Sequence, residues 1–303
     1  MTANLPGTHR SFFPAIFLSP DEPRLRAGWR LLIQTIFMLL LMGCFGIPIG
    51  LIIYIPSIQI SDQLFMLLSE VISFTTIILS VFLSRRYLDR RSFSSLGLDF
   101  SSRVIKDLTI GFLIAFFSLA LIFLMEILLG WAHFDAFAWE AQPPVSVVSG
   151  ILLALLIFLL VGWNEELLSR GYHLQTLTSG TNLPLGLILS SAIFGILHIN
   201  NPNATWISTV GIFLAGMFLA FGYVRTHQLW LSIGIHIGWN FSEGVVFGFP
   251  VSGWNGFQIT KATFTGPALW TGGSFGPEAG LIVLPALLVG AILIYIYTNP
   301  KIR

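Results

Sequence analysis

Long apolar stretches, most of them near the twenty residues that a helix needs to cross a bilayer, alternate with polar joints along almost the whole chain. They lie near 30–55, 62–84, 104–130, 145–177, 184–200, 205–224, 229–249 and 280–298. The stretches are continuous, which excludes the short alternating segments of a transmembrane barrel. Helices are the remaining backbone form that satisfies its own polar groups in lipid. The pattern therefore predicts an all-α fold, a polytopic transmembrane helical bundle of about eight spans. The fourth stretch is longer than a bilayer requires and is expected to tilt or to project beyond it.

Composition agrees: the 303 residues are 55% hydrophobic and only 10% charged, against about 25% charged in soluble domains, and the mean hydropathy is +0.83. The positions of Lys and Arg set the orientation. Arg85, Arg86, Arg90, Arg91, Arg103 and Lys106 crowd one loop, Arg24 and Arg26 precede the first span, Arg225 follows the sixth, and Lys301 and Arg303 end the chain. With eight spans all of these fall on one side, so both termini are expected in the cytoplasm. The divisions follow: a cytoplasmic tail at 1–29, a three-span scaffold at 30–140, a four-span core at 145–249, an outer loop at 250–279, and a last span with a cytoplasmic end at 280–303.

The net charge of +1 and the lack of a clustered basic face give no footprint for nucleic acid. Cys44 is the only cysteine, so neither an internal disulfide nor a thiolate metal site is available. The first 28 residues carry prolines and charges and read as no secretory signal. The run 11–18 reads either as an interfacial segment or as a plain tail.

Ionisable residues concentrate in the core. Glu165 and Glu166 stand side by side within an apolar stretch, with Arg170 one turn on, and His198 and His236 sit in later stretches. Carboxylates are costly at that depth, which makes a functional assignment the default. A turn at Ser179-Gly180-Thr181-Asn182, with Pro184 opening the next helix, joins the fourth and fifth stretches as an antiparallel hairpin. Glu165 and His198 are nearly equidistant from it, about 24 Å along the axis at 1.5 Å per residue. His236 is expected at similar depth with Asn240 one turn further on the same face, all four around a cavity open to the cytosol. Glu166 and Arg170, spaced i,i+4, suit an ion pair that leaves Glu165 free as a general base for water. His198 shares that water, and His236 with Asn240 donates to an oxyanion. Glu70, Glu126, His173 and Glu243 are expected to be structural.

These residues carry a family resemblance. Glu165-Glu166-Leu167-Leu168-Ser169-Arg170 fits an E-E-x-x-x-R motif, Phe194 to His198 fits F-x-x-x-H, and His236 to Asn240 fits H-x-x-x-N. In this order, on separate helices, they resemble the CPBP intramembrane proteases, also called the type II CAAX prenyl endopeptidase, Rce1-like or Abi family. The resemblance spans roughly 145–245. It implies an endopeptidase in a bacterial plasma membrane, active near the cytoplasmic face on a protein or peptide that can itself be membrane-anchored. Glu165, His198, His236 and Asn240 would be catalytic, with Glu166 and Arg170 supporting. The family is often labelled metalloprotease, and a zinc ion would take His198, His236 and Glu165; without an H-E-x-x-H pair, no cofactor is the favoured expectation. Two other classes stay open: a catalytically silent scaffold or bacteriocin-immunity protein of the same fold, and an ion-coupled transporter, which the lack of an inverted repeat disfavours.

Overall fold

The computed structural model describes residues 16–20, 22–53, 55 and 60–300. Most of the run 11–18 and the basic residues Lys301 and Arg303 lie outside them. Eight principal helices occupy the eight apolar stretches: α1 Ala27–Ile53, α2 Asp62–Leu83, α3 Val104–Leu128, α4 Pro144–Glu166, α5 Leu183–Leu197, α6 Trp206–Thr226, α7 Trp230–Asn240 and α8 Val283–Thr298. Among the described residues, five are long and apolar enough to cross a membrane, namely α1, α2 with its extension to Leu88, α3, α6, and α4 with its extension to Gly180. The chain is thus an integral membrane protein. Helices α5 and α8 are apolar and shorter than these five.

Polar residues at the joints start the helices. Ser61 accepts the Leu64 N–H and caps α2 ahead of Asp62, a side chain that also complements the helix dipole. Asn182 accepts from Leu185 N–H at 3.0 Å and, with Pro184 in the first turn, opens α5. Thr205 and Ser208 form a reciprocal capping box at the head of α6.

Helix α7 is the axis of the bundle, and all its residues are buried. Its tightest neighbour is α3. A Cβ on Gly111 would stand 2.5 Å from the Leu231 carbonyl, and one on Gly234 would meet the Leu108 backbone, so the two backbones pack in direct contact, as small residues allow in membranes. Small residues let α6 approach its neighbours closely: Gly216 faces Ser191 and Phe194 of α5, and Gly222 faces Ser232 of α7.

One end of the bundle is locked by arginines. Arg30 of α1 and Arg85, just past α2, both pair with buried Asp89, Arg85 at 3.2 Å. Arg30 also donates to Ser179 Oγ at 2.7 Å, and Gly180 abuts Ala27. The tip of the α4–α5 hairpin is therefore level with the start of α1.

One feature departs from the sequence expectation. A two-stranded antiparallel ribbon pairs β1, Ala132–Phe137, with β2, Thr260–Phe264, across a bulge between Phe134 and Ala136. The stretch 250–279, read as an outer loop, packs into the bundle near its end. Its segment Phe275–Gly280 is buried, and the Glu278 backbone lies against Gly211 of α6, where a Cβ would collide with its carbonyl.

Candidate active site

Two of the site helices widen just past their polar residues. After Glu166, α4 continues as a π-helix over Leu167–Leu174, and after Asn240, α7 continues as one over Phe241–Val246. Such stretches are uncommon and cluster at functional sites, because the wider turn re-aims side chains.

Glu165, near the end of α4, points its Oε2 at two imidazoles. His198 Nε2, from the residue that ends α5, is 3.5 Å away, and His236 Nε2, from α7, is 3.7 Å away. The opposite ring nitrogens are committed elsewhere. His198 Nδ1 lies 2.8 Å from the Phe194 carbonyl, which only accepts, so Nδ1–H is the donor. His236 Nδ1 lies 2.8 Å from Glu166 Oε1. That carboxylate also receives Arg170 at 2.8 Å, which holds it as an acceptor, so His236 too donates from Nδ1. In their neutral forms both rings therefore turn an acceptor Nε2 toward the Glu165 carboxylate.

Arg170 binds this group to the rest of the bundle. Its second amine donates to the Gly216 carbonyl of α6 at 2.9 Å, and its guanidinium lies over the Phe194 ring at 4.3 Å. Glu166 and Arg170 are almost fully buried, whereas the Glu165 side chain keeps 31% of its surface. Glu165 is thus the more exposed member of the pair.

A cavity of about 430 Å³ holds Glu165, His198, His236 and Asn240 together. Its walls are mainly apolar, including Ile157, Phe158, Phe194, Phe218 and Trp239. Toward the arginine lock it ends on buried Leu168 and Ser169; toward the other end its lining includes exposed Asp62, Gln63, Trp254 and Asn255. The accessible end is thus the one away from the arginines. With Gly180 beside Ala27, Glu165 lies about 22 Å along the axis from the arginine end at 1.5 Å per residue.

Two further carboxylates line the cavity. Glu70 of α2, expected to be structural, accepts the Asn164 amide at 3.1 Å; its signal was its own position in an apolar helix. Glu278 reaches the cavity from the stretch taken as an outer loop, and no periodicity marks it. Glu126, His173 and Glu243 are buried outside the lining.

Among the described residues, no group of three or more His, Cys, Asp or Glu side chains is arranged to hold a metal ion. Glu165 Oε2 stands 3.5 and 3.7 Å from the Nε2 atoms of His198 and His236, and these three side chains would hold a zinc ion if one were bound.

Residues 147–242 match the family model described as Type II CAAX prenyl endopeptidase Rce1-like. The matched stretch contains Glu165, Glu166, Arg170, His198, His236 and Asn240 and leaves Glu70 and Glu278 outside. No curated protein matches the chain.

Proposed function

We propose that this chain, whose residues 147–242 form an Rce1-like domain, is an intramembrane endopeptidase that hydrolyses a peptide bond with water activated by Glu165. One observation carries the reading: Glu165 Oε2 and the Nε2 atoms of His198 and His236 converge, while the Nδ1 atoms of both rings are engaged by the Phe194 carbonyl and by Glu166. Three acceptors separated by 3.5 and 3.7 Å suit a water that donates one hydrogen to Glu165 and the other to a histidine. Such a water presents a lone pair to a carbonyl carbon. Glu165 takes its proton as the O–C bond forms, a contribution of about 10²–10⁴-fold for a well-placed base.

Asn240, in the same lining, donates to the oxyanion without changing its protonation. His236 adds a second donor from Nε2 only when it carries both protons. Glu166 and Arg170 keep His236 aimed. The apolar walls suit a substrate that brings an apolar segment or lipid anchor with it.

The arginine-rich end faces the cytoplasm by the positive-inside rule, with both termini there and α5, α7 and α8 completing an eight-pass path. In this orientation the accessible end of the cavity faces the outer leaflet.

Membrane proteomics comparing a wild-type strain with a Glu165→Gln strain tests the reading. Peptides uncut only in the variant are expected; identical peptide sets at equal protein levels would remove the assignment.

A further inference from the structure

Hydrolysis of an amide needs a proton for the leaving nitrogen as well as a base for the water. The matched domain supplies the base, and the stretch beyond it supplies a second carboxyl group to the same cavity. Glu278 lies in a buried turn, Pro277–Ala279, between β2 and α8. Both hydrogen bonds from Ser252, one from its backbone N–H at 3.1 Å and one from its hydroxyl, go to Oε2. Oε1 takes no part in that clamp.

The surroundings fix this carboxyl in place. Asn201, three residues past His198, donates to the Ser252 carbonyl at 3.1 Å, so the clamp is tied to the end of α5. Gly253, at φ +88°, packs on the Pro202 carbonyl, and Gly276, at φ +112°, packs on the Pro250 carbonyl. Both conformations are open to glycine and strained for other residues. The Glu278 backbone sits against Gly211, where no Cβ fits.

We propose that Glu278 is the general acid of the reaction and gives the proton on its Oε1 to the nitrogen of the leaving amine. The inference rests on the hydrolysis proposed above. Water forms the new O–C bond and loses a proton to Glu165. The C–N bond then breaks, its electron pair goes to nitrogen, and nitrogen takes the Glu278 proton. After the products leave, water carries the proton from Glu165 back to Glu278, and both groups are restored.

The charged and titratable groups facing Glu278 are His198 at the end of α5, His236 of α7 and Glu243 of the π-helical extension of α7. Burial pushes the Glu278 carboxyl above the ordinary carboxylate range, against the opposing pull of Ser252 and the two histidines. Two carboxyl groups in different environments around one bond give an acid and a base. Glu278 is nearly enclosed (6% exposed), while Glu165 faces the imidazoles from the partly open wall.

The test separates amide from ester. A peptide bond that the purified wild-type protein cuts in detergent is first chosen from a peptide library. The same acyl peptide is then made as its 4-nitrophenyl ester, whose leaving group departs without a proton. Glu278→Gln is expected to lower amide cleavage by about 10²-fold or more and ester hydrolysis by less than about fivefold, at an unchanged melting temperature. Glu278→Asp, which keeps a proton, is expected to recover part of the amide rate. Equal losses on both substrates would make Glu278 a structural residue and overturn the proposal, as would an unchanged amide rate. Glu165→Gln, run in parallel, should lose both activities. If it lost neither, the hydrolytic reading itself would fail, whatever Glu278 showed.

Discussion

Glu166 accepts the Nδ1–H of His236 at 2.8 Å on the same oxygen, Oε1, that receives Arg170 at 2.8 Å. One buried carboxylate thus orients a histidine from α7 while paired to an arginine on its own helix. The outward result is a His236 ring whose Nε2 points at Glu165.

Arg170 and Glu166 are expected to matter first for stability. Removing one member of a buried ion pair leaves the other charge unpaired and costs about 3–5 kcal/mol. Arg170→Ala should therefore lower the melting temperature in detergent markedly. Arg170→Lys should recover only part of it, because a point-like ammonium cannot reach Glu166 and the Gly216 carbonyl together. Equal stability of Arg170→Ala and wild type would show that the pair does not hold α4 to α6.

The direct contact between α3 and α7 gives a second expectation. Gly234→Ala places a methyl against the Leu108 backbone, which cannot move aside as a flexible side chain would. Overpacking of this kind costs about 1–3 kcal/mol. Gly256→Ala, at a position with open space around it, should leave the melting curve unchanged and serves as the control.

Access to the cavity can be mapped by cysteine labelling in a Cys44→Ser background. In intact cells, a membrane-impermeant maleimide should modify Gln63→Cys and Asn255→Cys, at the accessible end of the cavity. Arg86→Cys, exposed beside the arginine lock, should react only after permeabilisation. The reverse pattern would place the cavity mouth in the cytoplasm.

Hydrolysis through the chain's own side chains also predicts indifference to chelators. Cleavage by the purified protein should survive prolonged EDTA or phenanthroline treatment, and elemental analysis should find zinc well below one ion per chain. Loss of activity on chelation, with recovery on adding zinc, would place a metal ion on the His198, His236 and Glu165 set.

Much of the site was legible in the sequence because helices convert spacing into geometry. The turn at Gly180 sets the register that brings Glu165 within 3.5 Å of His198, and the i,i+4 spacing gives the Glu166–Arg170 pair. The reading stopped where helical periodicity stops. Glu278 enters on an irregular segment fixed by Gly253, Gly276 and Gly211, and nothing in its local pattern points to α6. Glu70 was visible only as an isolated charge, since its tie to Asn164 crosses from α2 to α4. The depth of the site is not set by the sequence pattern, because the level of the hairpin tip depends on Arg30 reaching Ser179, a contact between residues far apart in the chain. The β1–β2 ribbon escaped for a similar reason: each strand is short, and the two are separated by four of the principal helices.

Reconstituted cleavage by the Glu165→Gln variant tests water activation most directly. The two side chains have nearly the same shape, so the bundle should melt at the same temperature while the base is lost. With purified proteins in lipid vesicles and a peptide that the wild type cuts, the variant should be slower by at least about 10²-fold. A Glu165→Gln protein that cleaves the peptide at the wild-type rate would contradict the proposal that Glu165 activates the water.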